Sequence, residues 1–385
     1  MMTHTDAMPR PPLLIANEIY RKSRYGTTHP LSIPRVSTVV DLCRALDWLP
    51  DAQYVDSPMA TPEQLARFHD PAYVAALKRA EEDQDAPADV KARHNIGINN
   101  NPIYTEVFRR PATACGGSIL AADLVKDGGI VHHPPGGTHH GRPDRASGFC
   151  YFNDPVLGLL RLLDLGVAPV LYVDLDAHHG DGVQDAFHDD DRVFTISIHE
   201  ANRWPRTGPV EDRAGGAARN LPVPRGFNDS ELDYLIEHAV VPLAERLMPA
   251  AIMIQCGCDG LEDDPQARLS LSNRGYWQAV SVLKGLAPRV IVLGGGGYNP
   301  WAVARCWSGV WATLNGRPIP EVLPAPAESL LRELWWAHRR GRNPPEHWFT
   351  TLADAPKTGA VREEVRSVAR AVLDAPDRAR RWAAE

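Results

Sequence analysis

The sequence predicts an α/β fold, a three-layer sandwich in which helices cover both faces of a central, mostly parallel β-sheet. Short apolar runs rich in β-branched residues alternate with amphipathic segments along much of the chain, which is typical of a parallel sheet wrapped by helices. The run Val170–Val173 is uniformly apolar, as expected for a strand buried on both faces. With 385 residues, 44% of them hydrophobic, the chain can form one large α/β domain.

The amino-terminal part is expected to be helical and the part after it a loop. Apolar spacing predicts helices in Val36–Leu49 and Pro62–Leu77, whereas the polar, Asn-rich residues 81–102 predict a long surface loop. The alternating elements predicted after it are helix Pro111–Lys126, strand Ile130–Val131, helix Val156–Leu165, strand Val170–Asp174, strand Val193–Ile198, helix Ser230–Leu247, strand Ala251–Gln255, helix Gly275–Leu286 and strand Val290–Leu293.

The tail changes character from about Glu328. It is rich in Arg, Trp and Pro and ends in a charged amphipathic helix. We expect residues 325–385 to pack on the preceding domain as a C-terminal extension and not to form a second domain.

Composition excludes several classes of function. A formal net charge of −7 argues against a nucleic-acid-binding surface. No run of about twenty apolar residues and no amino-terminal apolar signal segment is present, so no membrane association and a cytoplasmic location are expected. The six cysteines are scattered, which favours reduced thiols over disulfides. Homo-oligomerisation is left open.

Four polar clusters follow predicted strands at their carboxyl ends. Ligands of open parallel sheets bind at that edge, so the four segments are expected to converge on one site. The clusters are residues 132–150, Asp174–Asp181, Cys258–Gly260 and Gly294–Tyr298.

Three residues of these clusters have the chemistry of a metal site. Asp176 and His178 are two residues apart, so on an extended backbone their side chains point the same way. Asp259 is on its own as easily read as a helix cap or a turn residue, but it completes a three-ligand set that leaves one coordination position open. Zinc suits two carboxylates and an imidazole, and ferrous iron is also compatible with them.

Two adjacent histidines and a tyrosine are candidates for catalysis. His139 and His140 follow a loop of prolines and glycines, which fixes an unusual backbone path. Four glycines present Tyr298, whose phenol can donate a hydrogen bond to a developing oxyanion. These glycines do not match a dinucleotide-binding pattern, because Asn299 stands where the third glycine is needed.

Taken together, the clusters resemble the zinc-dependent histone deacetylase superfamily, in particular its bacterial acetoin-utilisation branch, which is related to acetylpolyamine amidohydrolases. The resemblance covers residues 14–324, which it implies are a catalytic domain with the arginase–deacetylase fold. It is carried by six motifs in the order of the family, namely HPLSIPR (29–35), HHPPGGTHH (132–140), DRASGFCYFND (144–154), YVDLDAHHGDG (172–182), CD (258–259) and LGGGGYNP (293–300).

The resemblance implies a role for each catalytic candidate. His140 matches the general base, with Asp181 as its partner. His139, paired with Asp174, matches the second histidine, which stabilises charge in the transition state. Tyr298 matches the oxyanion donor.

The resemblance also implies two cation sites. Asp176, His178 and Asp259 match the zinc ligands. Asp174 and Ser197 resemble side chains of the structural potassium site of the family.

A substrate tunnel and an internal cavity are implied as well. Gly148 and Phe149, with Trp204 opposite, match the walls of a narrow tunnel for an acyl-lysine stem. Arg35 matches the arginine of the cavity through which acetate leaves. Thr138 replaces a large aromatic residue at the foot of the acyl pocket, so we expect acyl groups longer than acetyl to be admitted.

At two positions near the mouth of the tunnel the sequence also differs from the pattern of the related deacetylases. Asn100 stands where lysine deacetylases carry an aspartate that clamps the peptide backbone, and a neutral amide would clamp less firmly. Gln266 stands where polyamine deacetylases carry a glutamate that attracts a cationic amine. Its neutrality favours lysine over polyamine substrates.

The leading hypothesis is therefore a metal-dependent deacylase that removes a short acyl group from N-acyl-lysine in proteins or peptides. One alternative is a deacetylase of small acetylated amines such as acetylpolyamines. A minor alternative is an acyl-lysine-binding module without turnover.

Overall fold

The structure, a computed structural model, describes residues 10–26 and 29–374. Within these ranges eight strands form one sheet in the order β2-β1-β3-β8-β7-β4-β5-β6, and every neighbouring pair is parallel. The strands are β1 (Leu13–Ala16), β2 (Tyr54–Asp56), β3 (Gly129–His133), β4 (Val170–Asp174), β5 (Val193–Glu200), β6 (Ala218–Val223), β7 (Ala251–Gln255) and β8 (Arg289–Leu293).

Helices cover both faces of this sheet, which confirms the predicted three-layer α/β sandwich. Alternate side chains of a strand point to opposite faces, and in β4 Val173 joins a buried cluster with Val280 while Tyr172 joins a second cluster with Leu159. The helices are α1 (Ile19–Lys22), α2 (Val36–Ala45), α3 (Pro62–Leu65), α4 (Pro71–Asp83), α5 (Ala88–His94), α6 (Arg109–Val125), α7 (Asp154–Asp164), α8 (Asp181–Ala186), α9 (Asp229–Leu235), α10 (Val241–Leu247), α11 (Asn273–Leu283), α12 (Pro300–Leu314), α13 (Ala325–Arg332), α14 (His347–Thr350) and α15 (Glu363–Leu373).

Three predicted elements need correction. The predicted helix Pro62–Leu77 is interrupted, because α3 ends at Leu65 and α4 begins anew at Pro71 with Asp70 as its N-cap. Residues 81–102 are not one long loop, because α4 continues to Asp83 and α5 occupies Ala88–His94. The predicted helix Ser230–Leu247 is divided into α9 and α10 by a π-helical segment, Ile236–Val240. Pro242 lies at the start of α10, where its missing N–H and its ring are tolerated.

The carboxyl-terminal residues pack against the sheet-covering helices. Trp348 stacks on Trp301 of α12 with ring centroids 5.3 Å apart, and the indole N–H of Trp301 donates to the carbonyl of Leu331 at 2.8 Å. Arg362, just before α15, pairs with the buried carboxylate of Glu231 in α9. The division of the chain at residues 324 and 325 stays a prediction, and residues 375–385 of the predicted terminal helix region lie outside the described residues.

The order of the sheet determines where the site lies. Strands β3, β8, β7 and β4 are consecutive neighbours, and they are the four strands after which the sequence places its polar clusters. All four therefore deliver their clusters to one edge of the sheet. In the described part of the chain, no helix is long and apolar enough to cross a membrane.

Candidate active site

Asp176, His178 and Asp259 converge at the carboxyl ends of β4 and β7. Their ligand atoms all lie within 4.8 Å of one another, and the three side chains are buried. Nδ1 of His178 lies 3.0 Å from Oδ1 of Asp176 and 2.9 Å from Oδ2 of Asp259. Two carboxylate oxygens and one imidazole nitrogen thus surround a single point.

The residues around these carboxylates fit a divalent cation. The Gly296 N–H donates to Asp176 Oδ2 at 2.8 Å, and the Ala177 N–H donates to Asp259 Oδ1 at 2.9 Å, so each carboxylate turns its other oxygen to the shared point. A Cβ at Gly257 would overlap Oδ2 of Asp176, which explains the glycine there. Tetrahedral zinc ligands lie about 3.3 Å apart, close to the observed spacing. Two buried carboxylates without a compensating cation would be costly, which favours an ion at this point.

Each of the two adjacent histidines is held by its own carboxylate. Nδ1 of His139 lies 2.7 Å from Oδ2 of Asp174, and Nδ1 of His140 lies 2.7 Å from Oδ1 of Asp181. Because a carboxylate accepts, Nδ1 of each ring carries the proton, and Nε2 is the nitrogen left for chemistry. The two rings lie against each other with centroids 3.9 Å apart.

The two imidazoles differ in their affinity for a proton. Burial lowers the pKa of His139, but the carboxylates of Asp174 and Asp176 outweigh it and raise that pKa to about 9. For His140, burial and the positive charge of His139 outweigh Asp181 and lower the pKa to about 4. At neutral pH the chain alone therefore holds a protonated imidazole beside a neutral one.

Tyr298 faces the same site from the glycine loop after β8. Its backbone N–H donates to Oδ2 of Asp264 at 2.6 Å, which fixes the end of the loop. Burial raises the pKa of the phenol well above its usual value, and the charge of Asp259 raises it further. The phenol consequently stays protonated and can act as a hydrogen-bond donor.

One cavity of about 290 Å³ connects these groups to solvent. Phe149 lies edge-on to Tyr298, with centroids 6.0 Å apart, and forms one wall. Trp204 lies edge-on to His140 at 4.7 Å and covers Gly148, where a Cβ would overlap the indole ring. Gly148 also has a φ of +54°, which favours glycine.

Comparison with known proteins agrees with this geometry. A family model described as the histone deacetylase domain matches residues 29–314. The chain belongs to the histone deacetylase family.

Relatives in other organisms extend over most of the chain. Histone deacetylase 2 of Caenorhabditis elegans and histone deacetylase 9 of Arabidopsis thaliana are each 35% identical over 78% of this chain. The chain spans 61% of the length of the nematode relative and 72% of the plant relative.

Two solved structures align with a larger share of this chain than these relatives do. The crystal structure of a histone deacetylase homologue from Aquifex aeolicus is 34% identical, covers 94% of this chain and 100% of its own, and superposes with a TM-score of 0.89. A histone deacetylase homologue in complex with the inhibitor SAHA superposes with a TM-score of 0.90 at 34% identity and the same coverage. These likenesses confirm the resemblance and the arginase–deacetylase fold, and they identify the chain as a member of a family of zinc-dependent amide hydrolases.

In this family member the predicted mouth residues line the outer end of the cavity. Asn100 and Gln266 both contribute to it, next to Trp204. Asn100 has a φ of +64°, and its carbonyl oxygen lies 3.1 Å from Nε2 of His29. The mouth of the tunnel therefore carries neutral amides at both predicted positions.

The same cavity is also lined by Tyr20, Tyr25, Arg35, Arg110 and Thr138, and we call the part of it next to these five residues the inner chamber. Arg35 and Thr138 were expected there by resemblance, whereas Arg110 lies outside every motif. The Thr138 hydroxyl donates to the carbonyl of Phe152 at 2.7 Å, so the polar end of this small side chain is held by the backbone.

Asp174 and Ser197, the predicted potassium residues, are partners in the register of β4 and β5. Both carboxylate oxygens of Asp174 are engaged, by His139 and Tyr172 on one and by the Asp176 N–H on the other. The Ser197 hydroxyl lies 3.0 Å from Nδ1 of His199.

The sequence did not reveal two residues, Arg142 and Gln255, that bind the carboxylates of the site. Arg142 pairs with Asp181, the partner of His140, and also reaches the exposed Asp185. Gln255 donates to Oδ2 of Asp176 at 3.1 Å and accepts from the Gly257 N–H at 2.8 Å. Arg142 lies two residues after His140 and Gln255 ends a predicted strand, and these positions were the available signal.

Proposed function

We propose that the chain hydrolyses short N-acyl amides of lysine side chains in proteins or peptides, releasing a carboxylate and a free amine. The observation that carries this proposal is that one cavity is lined by His139, His140 and Tyr298 together with the metal candidates Asp176 and His178. Amide hydrolysis needs a proton acceptor, an oxyanion donor and a Lewis acid in reach of one carbonyl.

His140 is suited to accept the proton of the attacking water. Burial keeps it neutral, Asp181 holds the proton on Nδ1, and Nε2 is left with a free lone pair. At Asp176, His178 and Asp259, a bound zinc or ferrous ion would polarise the carbonyl and acidify water. The proton that His140 takes up can then pass to the departing amine.

His139 and Tyr298 are suited to stabilise developing charge. In the chain without a metal ion, His139 carries a positive charge beside His140, and Tyr298 holds its phenolic proton at neutral pH. Both groups are buried, where a hydrogen bond to an oxyanion is stronger than in water. Asp174 fixes the orientation of the His139 ring.

The tunnel favours a lysine stem over a polyamine. Phe149 and Trp204 provide aromatic faces for a chain of methylene groups. Asn100 and Gln266 at the mouth are neutral, so they offer no carboxylate to a second ammonium group. We further propose that Asp174 and Ser197 contribute to a potassium site that fixes β4 relative to β5.

A substrate panel tests this function. Acetyl-lysine peptides and acetylated polyamines are compared as substrates of the zinc-loaded and the chelator-treated protein. We expect chelator-sensitive release of acetate with the peptides preferred. Preference for polyamines would establish the small-amine alternative, and tight peptide binding without turnover would establish the binding module.

Tyr298→Phe tests the oxyanion role within the same panel. It removes one hydroxyl and is expected to lower kcat by about 10²–10³-fold. Tyr54→Phe, on the edge strand β2, is the matched control and is expected to leave kcat unchanged. Full activity of Tyr298→Phe would exclude Tyr298 as the oxyanion donor.

A further inference from the structure

The inner chamber contains two guanidinium groups. Arg35 donates through Nη1 to the carbonyl of Gly295 at 2.7 Å, and its Cζ lies 5.3 Å from the ring centroid of Trp307. Its Nε is buried and has no hydrogen-bond partner. The hydrogen bonds that Arg35 makes within the protein thus involve Nη1, and Nε has no protein acceptor.

Arg110 reaches the chamber from α6. Its Nη1 donates to the carbonyl of Ser23 at 2.8 Å, and its Cζ lies 5.0 Å from the ring of Tyr25 and 5.4 Å from that of Tyr20. The residue is 8% exposed. One carbonyl and two aromatic faces leave several of its five N–H donors without a protein acceptor.

Neither guanidinium contacts a carboxylate within residues 10–26 and 29–374. A buried charge is costly unless it is paired, and two like charges in one chamber increase that cost. Burial lowers the pKa of Arg35, and the charge of Arg110 lowers it further. The chamber is therefore built to receive an anion.

A carboxylate is the anion that fits the reaction and the chamber. Guanidinium groups bind carboxylates through two parallel N–H···O bonds, and one arginine is sufficient for one such group. A released acetate ion would employ Arg35 alone. Arg110 supplies a second positive charge in the same cavity, which a longer acyl chain with a terminal carboxylate could use.

We propose that the inner chamber binds the terminal carboxylate of a dicarboxylic acyl group that is still attached to the amine, so that succinyl- or glutaryl-lysine is a substrate class of this chain. The inference rests on the proposed amide hydrolysis and extends it. Thr138 lines the same cavity, and because its side chain is small and its hydroxyl is held by the carbonyl of Phe152, it takes up little of the space.

The reaction balances without another reactant. Water adds to the amide carbonyl, the C–N bond breaks, and the lysine amine leaves with a proton. The product is a dicarboxylate, which carries one new and one original carboxylate. The chamber offers two guanidinium groups to these two negative charges.

The test compares acyl groups of equal chain length that differ in the terminal carboxylate. Values of kcat/KM are measured for glutaryl- against pentanoyl-lysine and for succinyl- against butyryl-lysine in one peptide. We expect the carboxylated member of at least one pair to be preferred by ten-fold or more. Arg110→Met is expected to lower that ratio about ten- to hundred-fold, since a charge-assisted hydrogen bond is worth a factor of this size.

Arg109→Met is the matched control. Arg109 precedes Arg110 on α6, but its side chain is exposed and pairs with Glu81, so the ratio is expected to stay unchanged. Inhibition of the wild-type protein by glutarate and by pentanoate provides a measurement that needs no variant to fold. Glutarate is expected to inhibit at a concentration at least ten-fold lower.

Two results would overturn the inference. One is a wild-type preference for the neutral acyl group in both pairs, and the other is a ratio that Arg110→Met leaves unchanged. In either case hydrolysis of pentanoyl-lysine would leave the proposed amide hydrolysis intact. Absence of turnover with acetyl-, butyryl- and pentanoyl-lysine would instead contradict the proposed function itself.

Discussion

The two His–Asp pairs share one geometry but differ in protonation. His139–Asp174 and His140–Asp181 both have an Nδ1–Oδ distance of 2.7 Å, and both histidines are buried. Nevertheless the pKa of His139 is raised to about 9, whereas that of His140 is lowered to about 4. A carboxylate at hydrogen-bond distance therefore does not by itself determine whether an imidazole is charged.

The difference arises from what lies around each pair. Nε2 of His139 is 3.9 Å from Oδ1 of Asp176, so His139 has a second carboxylate in reach. His140 instead lies among positive charges. Beyond the effect of burial, the charge of His139 lowers the pKa of His140, and Arg142 pairs with the second oxygen of Asp181, the carboxylate that binds His140. Two adjacent residues of one motif thus become a proton acceptor and a charge stabiliser.

Removing each imidazole in turn should produce the largest difference. His140→Ala is expected to lower kcat about a thousand-fold, because the proton acceptor is lost. His139→Ala is expected to cost only ten- to hundred-fold, since Tyr298 still donates to the oxyanion. Steady-state kinetics on one acetyl-lysine peptide measure both. His188→Ala, at an exposed histidine, is the control, and equal losses for His139 and His140 would contradict the division of roles.

A histidine without any carboxylate sharpens the comparison through stability. His69 contacts the carbonyl of Arg142 through Nδ1 and the N–H of Asn153 through Nε2, each at 3.0 Å, so it is neutral in the fold. Burial lowers its pKa to about 4. The unfolded chain binds a proton at this residue from about pH 6.5 downward, whereas the folded chain does not. The contribution of His69 to the free energy of unfolding should therefore fall by about 3 kcal/mol between pH 6.5 and pH 4.

Urea unfolding at several pH values checks this expectation. In His69→Gln the free energy of unfolding should fall less over that pH range than in the wild type, by about the 3 kcal/mol that the proton of His69 accounts for. Buried His132, whose pKa burial also lowers to about 4, should still contribute the same dependence in the variant. An identical pH dependence of the variant and the wild type would show that His69 is not the neutral group inferred.

The central strands could be predicted from the sequence, and the edges of the sheet could not. The predicted bounds of β4 and β7 agree with the structure residue for residue, because both are apolar runs buried on two faces. Strand β2 has three residues, and the edge strand β6 contains Arg219, Asn220 and Pro222, so neither has a strand-like pattern. The short helix α5 is held by tertiary contacts such as that of His94 with the carbonyl of Asp144.

The site divides in a similar way. Side chains that follow a strand end, such as Asp176 and Asp259, were predictable because parallel strands deliver their ends to one edge. Arg110 was not, because a helix pattern does not show which polar side chain enters a cavity.

Arg142 allows the smallest and most specific test of the comparison. In Arg142→Met the carboxylate of Asp181 loses its second cation and attracts a proton on His140 more strongly. The pKa of His140 should then rise by about one unit, toward the behaviour of His139. Since His140 must be neutral to accept a proton, the acidic limb of the kcat/KM profile should move to higher pH by the same amount.

The control for this shift is a nearby arginine with no contact to Asp181. Arg145 is exposed and pairs with Asp144, so Arg145→Met should leave the profile in place. A loss of rate without a shift of the acidic limb would mean that Arg142 only holds the loop. A shift in Arg142→Met alone would show that the surroundings of the Asp181 carboxylate, rather than the His–Asp contact, set the basicity of His140.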